Sequence, residues 1–553
     1  MTESVTGVPD RTDASSALGP GMGRAGLAGA ALAVGALTIL ARVVGFGRWV
    51  VFARTVHGGC LADVYNTANL LPNVLFEVAA GGALAGAIVP VLAPAIARGD
   101  RAAVHRTVSA LLTWSLVLLL PLGLAGALLA RPVMRAFLGD GRCPAAAVDV
   151  GTRMLLIFLP QLFCYAVAVV LAGVLQAHRR FLAAALAPLA SSVVVIGSYL
   201  LFAHLAHGDT AVDSVPGSAR TALALGTTLG VAALALTVLV PMAAVGWRPR
   251  PVLTFPAGAA RQARALAGAG VAALVAQQGT LLLVTWLADR HGTPGSVTAY
   301  TWAGAVFLVP YAVLAVPLAT SAFPRIAAAT AAGDDRAAAR LTAATARGVL
   351  AASCLGAAVL VAVAGPVSRV FAAGGVADAG QVAAGITALA PGLIGYGLAA
   401  HLSRVLYAAH AGRRAAMAIV IGWAVAAGFD VAVVPALSAR HAVAALCAGA
   451  GVGMSLSGVL LLIAVRRVND AGGLAALGRT GPVTLAAAAL TAGGGRWLAE
   501  RLGATDTVGA CLASVAVGAA VTLAYVVAVA SADRSCLSGL DLPRLVRPSG
   551  PRT

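Results

Sequence analysis

The sequence predicts an all-α polytopic membrane protein of about fourteen transmembrane helices. These would form two parallel six-helix lobes around a central cavity, with two further helices at the C-terminal end. Of the 553 residues, 60% are hydrophobic and 10% are charged, which is far from a soluble composition. Apolar runs long enough to cross a bilayer recur along the whole chain. Two segments also repeat each other at an offset of 231 residues, which predicts two lobes of similar structure.

The apolar runs place the spans in chain order. Their predicted centres lie near residues 40, 80, 118, 162, 193, 232, 275, 312, 354, 395, 425, 453, 490 and 519. Spans one to six form the N-terminal lobe, residues 25–250, and spans seven to twelve form the C-terminal lobe, residues 251–470. Spans thirteen and fourteen occupy residues 471–531. The first apolar segment is too long for a signal peptide and contains arginines, so we expect no cleavage.

The arginines predict the orientation. All 38 basic residues are arginine, and the net charge is +18. With the N-terminus inside, 22 arginines fall in inner loops and tails and 9 in outer loops, and cytoplasmic loops carry such an excess. Both termini are therefore predicted to be cytoplasmic, with residues 1–24 a disordered tail and residues 532–553 a short basic one. Because the positive charge belongs to the loops, we expect no nucleic-acid partner.

Two pairs of segments carry the internal repeat. Leu159–Tyr165, LPQLFCY, is echoed by Ala390–Tyr396, APGLIGY, and Gly99–Ala103 is echoed by Gly333–Ala338 at nearly the same offset. Six spans separate the members of each pair, so the two repeats point the same way. Parallel repeats in transporters place the substrate site near the bilayer midplane, where the repeats meet, and imply alternating access by rocking.

Charged and polar side chains in the first two spans mark a candidate substrate site. Arg42 and Arg48 lie in the first span, and Asp63, Asn73 and Glu77 lie in the second. A charge in hydrocarbon costs at least about 2.5–3.5 kcal/mol, so such residues normally face a bundle interior or a wet cavity. The planar fork of arginine suits phosphate oxygens. The pattern predicts an anion site, although a six-residue spacing sets the two arginines about 240° apart around a helix.

Polar residues of the second lobe are further candidates. Arg404 lies in the tenth span, the repeat partner of the fourth, and is the best candidate for a third arginine of the anion site. His401, one turn away, and Asp430 in the eleventh span join Asp63 as candidates for an ion or proton site. The sequence contains no nucleotide-binding loop, no metal-spaced His/Glu cluster and no nucleophile–base pair. It therefore predicts no catalytic residues, no metal site and no cofactor.

The seven cysteines are scattered along the chain and odd in number. Cys60 and Cys143 fall in predicted outer loops, but there is no C-x-x-C pair and no cluster with histidine. The pattern favours small, buried, inert thiols over a disulfide framework or a zinc site.

The segment Ala41–Arg48, ARVVGFGR, is similar to the S-R-V-L-G-F-x-R segment of the MurJ/MviN family. This family comprises the lipid II flippases of bacterial cell-wall synthesis, within the superfamily of multidrug and oligosaccharidyl-lipid exporters. Fourteen spans is also the family's number, so the resemblance covers nearly the whole chain. Further similar segments are Ala62-Asp63, Leu71-Pro72-Asn73, Gly82-Ala83-Leu84, Val89-Pro90, Pro310, Pro324 and Arg404…Tyr407-Ala408.

The resemblance implies a cavity whose arginines hold the diphosphate of a polyprenyl-linked disaccharide-pentapeptide. That substrate, lipid II, would move from the inner to the outer leaflet of the bacterial cytoplasmic membrane. Arg42 and Arg48 match the two arginine positions of the family's first span, and Asp63 matches its acidic residue. The implied partners are lipid II, membrane lipids, and cell-wall synthesis or division proteins.

Three positions depart from the family pattern. Phe76 and Ala305 stand where many members carry an arginine, and Gly81 stands where they carry a glutamate, although Glu77 lies one turn earlier. Fewer arginines are therefore expected to hold the anion in this chain.

Two other functions are compatible with the sequence. One is an ion-coupled exporter of small molecules, or of another polyprenyl-linked glycan, with Asp63 or Asp430 as the ion site. The other is a non-transporting scaffold for cell-wall enzymes, against which the buried arginines argue, since assembly alone gives no reason to retain them. Because no ATP-binding element is visible in the sequence, the membrane potential or an ion gradient is the expected energy source.

Overall fold

A computed structural model describes residues 24–81, 88, 91–92, 95–139, 142–178, 180–244, 250–254, 259–372, 379–468, 475–504 and 506–532. The regular structure within these ranges is helical throughout, which confirms the all-α fold class. The two predicted cytoplasmic tails lie almost wholly outside the described residues.

The helices of the first lobe follow the predicted apolar runs. Those runs are rich in alanine and leucine, which favour the helix. A π-helical turn, Glu77–Gly81, continues α2. The bounds are α1 Arg24–Thr55, α2 Cys60–Phe76, α3 Arg101–Leu128, α4 Ala130–Leu138, α5 Ala146–Phe158, α6 Gln161–Ala177, α7 Phe181–Ala206 and α8 Gly217–Ala244.

The second lobe has a similar order of helices, and its π-helical turn, Tyr311–Ala315, joins α10 to α11. Helices α17 and α18 follow it. The bounds are α9 Ala259–His291, α10 Ser296–Pro310, α11 Val316–Ala331, α12 Asp335–Ala372, α13 Ala379–Leu389, α14 Gly392–Ala408, α15 Gly412–Val433, α16 Ala442–Val468, α17 Ala475–Leu502 and α18 Thr507–Ala532.

Most helix packing lies within a lobe. In the first lobe α7 packs against α1 and α8, α2 against α5, and α3 against α6. In the second lobe α16 packs against α14 and α15, while α17 and α18 pack against α12 and against each other. The lobes meet where α1 and α2 contact α9, α10 and α12. Phe46 of α1 packs edge-on against Phe371 of α12, with ring centroids 5.8 Å apart, and Phe371 stacks on Trp302 of α10.

Helix length and hydropathy identify most of the predicted spans within the described residues. Within the described residues eleven helical segments are long and apolar enough to cross a membrane, or twelve if the bent pair α13–α14 is one span. The predicted span near residue 80 lies partly outside the described residues. The predicted span near residue 490 does not qualify, because α17 contains three arginines and a glutamate. Fourteen spans is therefore not confirmed.

The repeat seen in the sequence recurs in the backbone. α5 and α6 are separated at Leu159-Pro160, and α13 and α14 at Ala390-Pro391. The Phe163 amide donates to the Pro160 carbonyl and the Ile394 amide to the Pro391 carbonyl, each at 3.2 Å. The second pair also matches, since Gly99 and Gly333 both have positive φ, 68° and 70°. The same local sequence thus builds the same break and the same turn in each lobe.

The prediction of inert, buried thiols is wrong for two cysteines. Cys60, at the start of α2, and Cys143, in the loop before α5, form a disulfide. Spacing along the chain could not reveal this, because 83 residues separate them and the packing of α2 against α5 brings them together. Of the described free cysteines, Cys354 and Cys447 are buried as predicted, and Cys511 is exposed.

Candidate substrate site between the lobes

Arg42 lies within the candidate span 36–55 of α1. Its side chain is exposed and has no hydrogen-bond or ion-pair partner among the described residues. A guanidinium at this depth is stable only where water or an anion reaches it, because hydrocarbon would penalise the charge. Arg42 therefore fits a wet surface that is able to receive an anion.

Arg48 lies six residues further along α1 and is half-buried. Its guanidinium carbon is 5.3 Å from the ring centroid of Trp49, and its charge acts on the hydroxyls of Tyr65, Tyr165 and Tyr199. Its Nε is buried and has no partner among the described residues. A buried N–H donor without a partner costs free energy that an incoming phosphate oxygen would recover.

Two further candidates, Asn73 and Glu77, lie four residues apart at the end of α2 and in its π turn. Asn73 donates its side-chain amide to the Asn69 carbonyl at 2.7 Å, so part of its capacity is used inside the helix. Glu77 opens the π turn, is half-buried, and acts electrostatically on Tyr165. Arg48 and Glu77 thus both act electrostatically on the same tyrosine of α6.

Arg404 of α14 is half-buried in the second lobe. Its guanidinium donates to the Ala400 carbonyl one turn earlier, and its charge acts on Tyr311. Tyr311 in turn packs against Tyr396 with ring centroids 4.5 Å apart. Arg404 is therefore placed beside an aromatic pair of its own lobe, and no described contact joins it to Arg42 or Arg48.

Asp63 is placed apart from the arginines. It lies in the first turn of α2, about 21 Å along a helix axis from Glu77 at 1.5 Å per residue. It is buried and accepts three hydrogen bonds, from the Gly295 amide at 2.6 Å, the Thr298 amide at 2.9 Å and the Thr298 hydroxyl at 2.7 Å. Asp63 of the first lobe thus caps the N-terminus of α10 in the second, where an anion is favoured.

Neighbouring contacts extend this interlobe contact, which is called the Asp63 closure below. Asn66 donates to the Thr298 hydroxyl at 3.0 Å, and Thr67 donates to Asp289 at 3.2 Å. Gly295 has a φ of 96°, and a Cβ there would lie 2.3 Å from the Gly58 carbonyl oxygen, so this position requires glycine.

His57 lies in the short loop between α1 and α2, next to this closure. Burial lowers the pKa of His57 from its ordinary value of 6.5, against the raising effect of a hydrogen bond to the Arg54 backbone. The imidazole ring is therefore neutral near pH 7 and adds no charge beside the Asp63 closure.

The other two ion-site candidates lie inside the second lobe. His401 is buried, and its Nε2 is 2.9 Å from the Thr345 hydroxyl. Asp430 is fully buried in α15 against Gly449, and neither carboxylate oxygen has a partner among the described residues. The two side chains share no described contact. No group of three or more His, Cys, Asp or Glu residues in the described ranges could hold a metal ion.

The aromatic residues of the site were not predicted from the sequence. Phe76, which replaces a family arginine, is buried and stacks on Tyr165 at 5.4 Å. The repeat offered a signal for the tyrosines, because its two segments end on Tyr165 and Tyr396. Ala305, the other replacement, is half-buried on α10 and supplies no charge.

Comparisons with known proteins agree on one family. The family model described as "Lipid II flippase MurJ" matches residues 52–516. The lipid II flippase MurJ of Burkholderia cenocepacia is 28% identical over 304 residues, which is 54% of this chain and 57% of that protein. The probable lipid II flippase MurJ of Rhizobium meliloti is 29% identical over 324 residues, 56% of each chain. The chain thus spans just over half the length of the curated relatives it matches.

Solved structures show the same fold. A structure titled "Lipid II flippase MurJ, inward closed conformation" aligns with a TM-score of 0.68 at 15% identity, over 93% of this chain and 99% of that chain. An inward-facing multidrug resistance MATE family transporter of the MOP superfamily aligns with a TM-score of 0.62 at 15% identity, over 79% and 98% of the two chains. Because the family model covers most of the sequence, this chain belongs to the lipid II flippase MurJ family.

Proposed function

We propose that the protein moves lipid II from the inner to the outer leaflet of the bacterial cytoplasmic membrane for cell-wall synthesis. The observation that carries the proposal is the pair of arginines on α1. Arg42 is exposed within a span, and Arg48 has a buried Nε–H without a described partner. Their charges suit a diphosphate, which can take bidentate contacts from guanidinium groups. The family membership supports a lipid-linked diphosphate as the source of that anion.

The contacts between the lobes support alternating access. Asp63, Asn66 and Thr67 of α2 bond to residues of α9 and α10 at one end of the lobe interface. Closure of this end, with the arginines accessible from the opposite end, would be one state of a rocking carrier. Release of the substrate on the far side would require these interlobe bonds to break.

The disulfide supports the proposed orientation. Cys60 and Cys143 lie at the same end of the molecule as the Asp63 closure. Disulfides persist in oxidising compartments and are rare in the cytosol. That end therefore faces outwards in our proposal, which agrees with the arginine-rich loops facing the cytoplasm and with both termini inside.

A binding experiment tests the anion site. The purified protein in nanodiscs would be titrated with lipid II, and Arg48→Ala compared with wild type. Loss of a charge-assisted hydrogen bond costs about 1.5–3 kcal/mol, so we expect about a 10- to 100-fold weaker affinity. Arg42→Ala should weaken binding in the same direction. Arg48→Lys should recover only part of it, because a point charge lacks the bidentate fork.

Arg501→Ala is the matched control. Arg501 also lies over a tryptophan ring, 5.2 Å from the centroid of Trp497, but on α17 outside the two lobes. Its substitution should leave the affinity unchanged. Equal affinity of wild type and Arg48→Ala for lipid II would contradict the assignment. Tight binding of a small cationic drug instead would favour the exporter alternative.

A further inference from the structure

The aromatic residues near the arginines form two half-sites related by the repeat. In the first lobe Tyr165 of α6 stacks on Phe76 with an interplanar angle of 28°. In the second lobe Tyr396 of α14 packs against Tyr311 at 4.5 Å. Tyr165 and Tyr396 are 231 residues apart, the offset of the repeat, and each follows the same Pro-containing break. In a parallel repeat such positions lie at the same depth in the membrane.

Each tyrosine packs beside a π-helical turn. The turns Glu77–Gly81 and Tyr311–Ala315 are 234 residues apart, so they too occupy matching positions in the lobes. The first contacts α6 and the second contacts α14, the helices that carry the tyrosines. π-turns are rare and frequently mark functional sites. Their recurrence at matching positions indicates a feature of the site in both lobes.

Polar groups surround both aromatic pairs. Tyr165 is acted on by the charges of Arg48 and Glu77. Gln277 of α9 lies near the Tyr396 hydroxyl, and Tyr311 is acted on by Arg404. Tyr165, Tyr311 and Tyr396 are all half-buried, so each keeps some exposed surface.

The ring faces of the two aromatic pairs do not suit the diphosphate itself. The face of an aromatic ring carries negative partial charge and disfavours an anion. A sugar ring, by contrast, presents C–H groups on its faces and hydroxyls around its rim. An aromatic surface bordered by hydrogen-bonding side chains matches both features.

We infer that Tyr165 and Tyr396 are specificity-determining residues that bind the sugar part of a lipid-linked diphosphate, one from each lobe. The inference rests on the proposed function, since it assumes that the arginines hold the diphosphate. Arg48 and Arg404 would then anchor the charge while the two aromatic pairs recognise the sugars attached to it.

The test compares two lipids that share the diphosphate. Binding of lipid II and of undecaprenyl diphosphate, which lacks sugars, would be measured on the full-length protein in nanodiscs. The variants Tyr165→Leu and Tyr396→Leu should each weaken lipid II binding about five- to tenfold. They should leave the sugar-free lipid unchanged, and this also reports that each variant is folded. Tyr165→Phe and Tyr396→Phe, which keep the ring, should retain most of the affinity for lipid II.

Trp497→Leu is the control, because Trp497 is an exposed aromatic on α17, outside both lobes. It should change neither affinity. Equal losses for both lipids would mean that the tyrosine supports the fold, and unchanged lipid II binding would mean that it does not touch the sugar. Either result overturns the inference.

Wild-type protein that binds both lipids equally also overturns it but leaves the proposed function standing, whereas failure to bind either lipid defeats the proposed function.

Discussion

At the scale of single residues, the sequence predicted which side chains are unusual but not which of them meet. Arg48 and Glu77 both act electrostatically on Tyr165. Asp63 was grouped with them, because a buried acid beside two arginines suggests one site. The structure instead commits its carboxylate to Gly295 and Thr298 of the other lobe. Sequence distance could not show this, since the partner lies 232 residues away.

Asp63→Asn should weaken the outer closure. The amide keeps the shape of the side chain but loses its charge at the N-terminus of α10, and one of its two terminal atoms can no longer accept a hydrogen bond. We expect the population with separated outer ends to rise. Distances between spin labels encoded at Asp213 and Ser438, both exposed and both in loops predicted to face outwards, would report it. Asp506→Asn, at the start of α18, removes a similar cap with no interlobe contact and should leave the distances unchanged. Identical distance distributions for Asp63→Asn and wild type would refute this role.

At the scale of helices, most elements followed from apolar runs. The repeat predicted two lobes of similar structure, and the equivalent breaks before α6 and α14 agree with that prediction. The π turns and the disulfide did not follow from the sequence. The π turns leave no mark in hydropathy, because they shift hydrogen bonds without changing composition. The disulfide depends on the packing of α2 against α5, which a single sequence does not reveal.

The disulfide predicts a measurable difference in stability. Joining Cys60 and Cys143 closes a loop of 83 residues, and removal of such a bridge typically costs about 2–5 kcal/mol. Cys60→Ser with Cys143→Ser should therefore lower the melting temperature measured in detergent. Cys511→Ser, at an exposed free cysteine, should not. Mass spectrometry of protein purified without reductant should find Cys60 and Cys143 linked. Two free thiols at these positions would contradict both the bridge and the outward orientation of this end.

At the scale of the whole molecule, the proposed transport of an anionic lipid past arginine side chains would be sensitive to voltage. One elementary charge crossing 100 mV is worth about 2.3 kcal/mol. Outward movement of an anionic lipid runs downhill when the cell interior is negative. An empty, positively charged site is pulled back to face inwards. Both steps bias the cycle towards outward movement of the lipid.

We therefore expect flipping to stop when the membrane potential is collapsed and the pH gradient is held. Collapse of the pH gradient alone should slow flipping less. The rate at which lipid II becomes accessible on the outer surface would be compared under the two conditions in the same cells. The reverse ranking would favour proton coupling through Asp63, Glu77 or His401.

The proposed movement of lipid II across the membrane is tested most directly by the leaflet distribution of lipid II in cells whose flippase has been depleted and replaced by this protein. Wild type should restore lipid II to the outer leaflet and sustain cell-wall synthesis. Arg42→Ala, present at normal levels in the membrane, should leave lipid II on the inner leaflet. Normal outer-leaflet lipid II with Arg42→Ala as the only flippase, or its absence with wild type, would contradict the account.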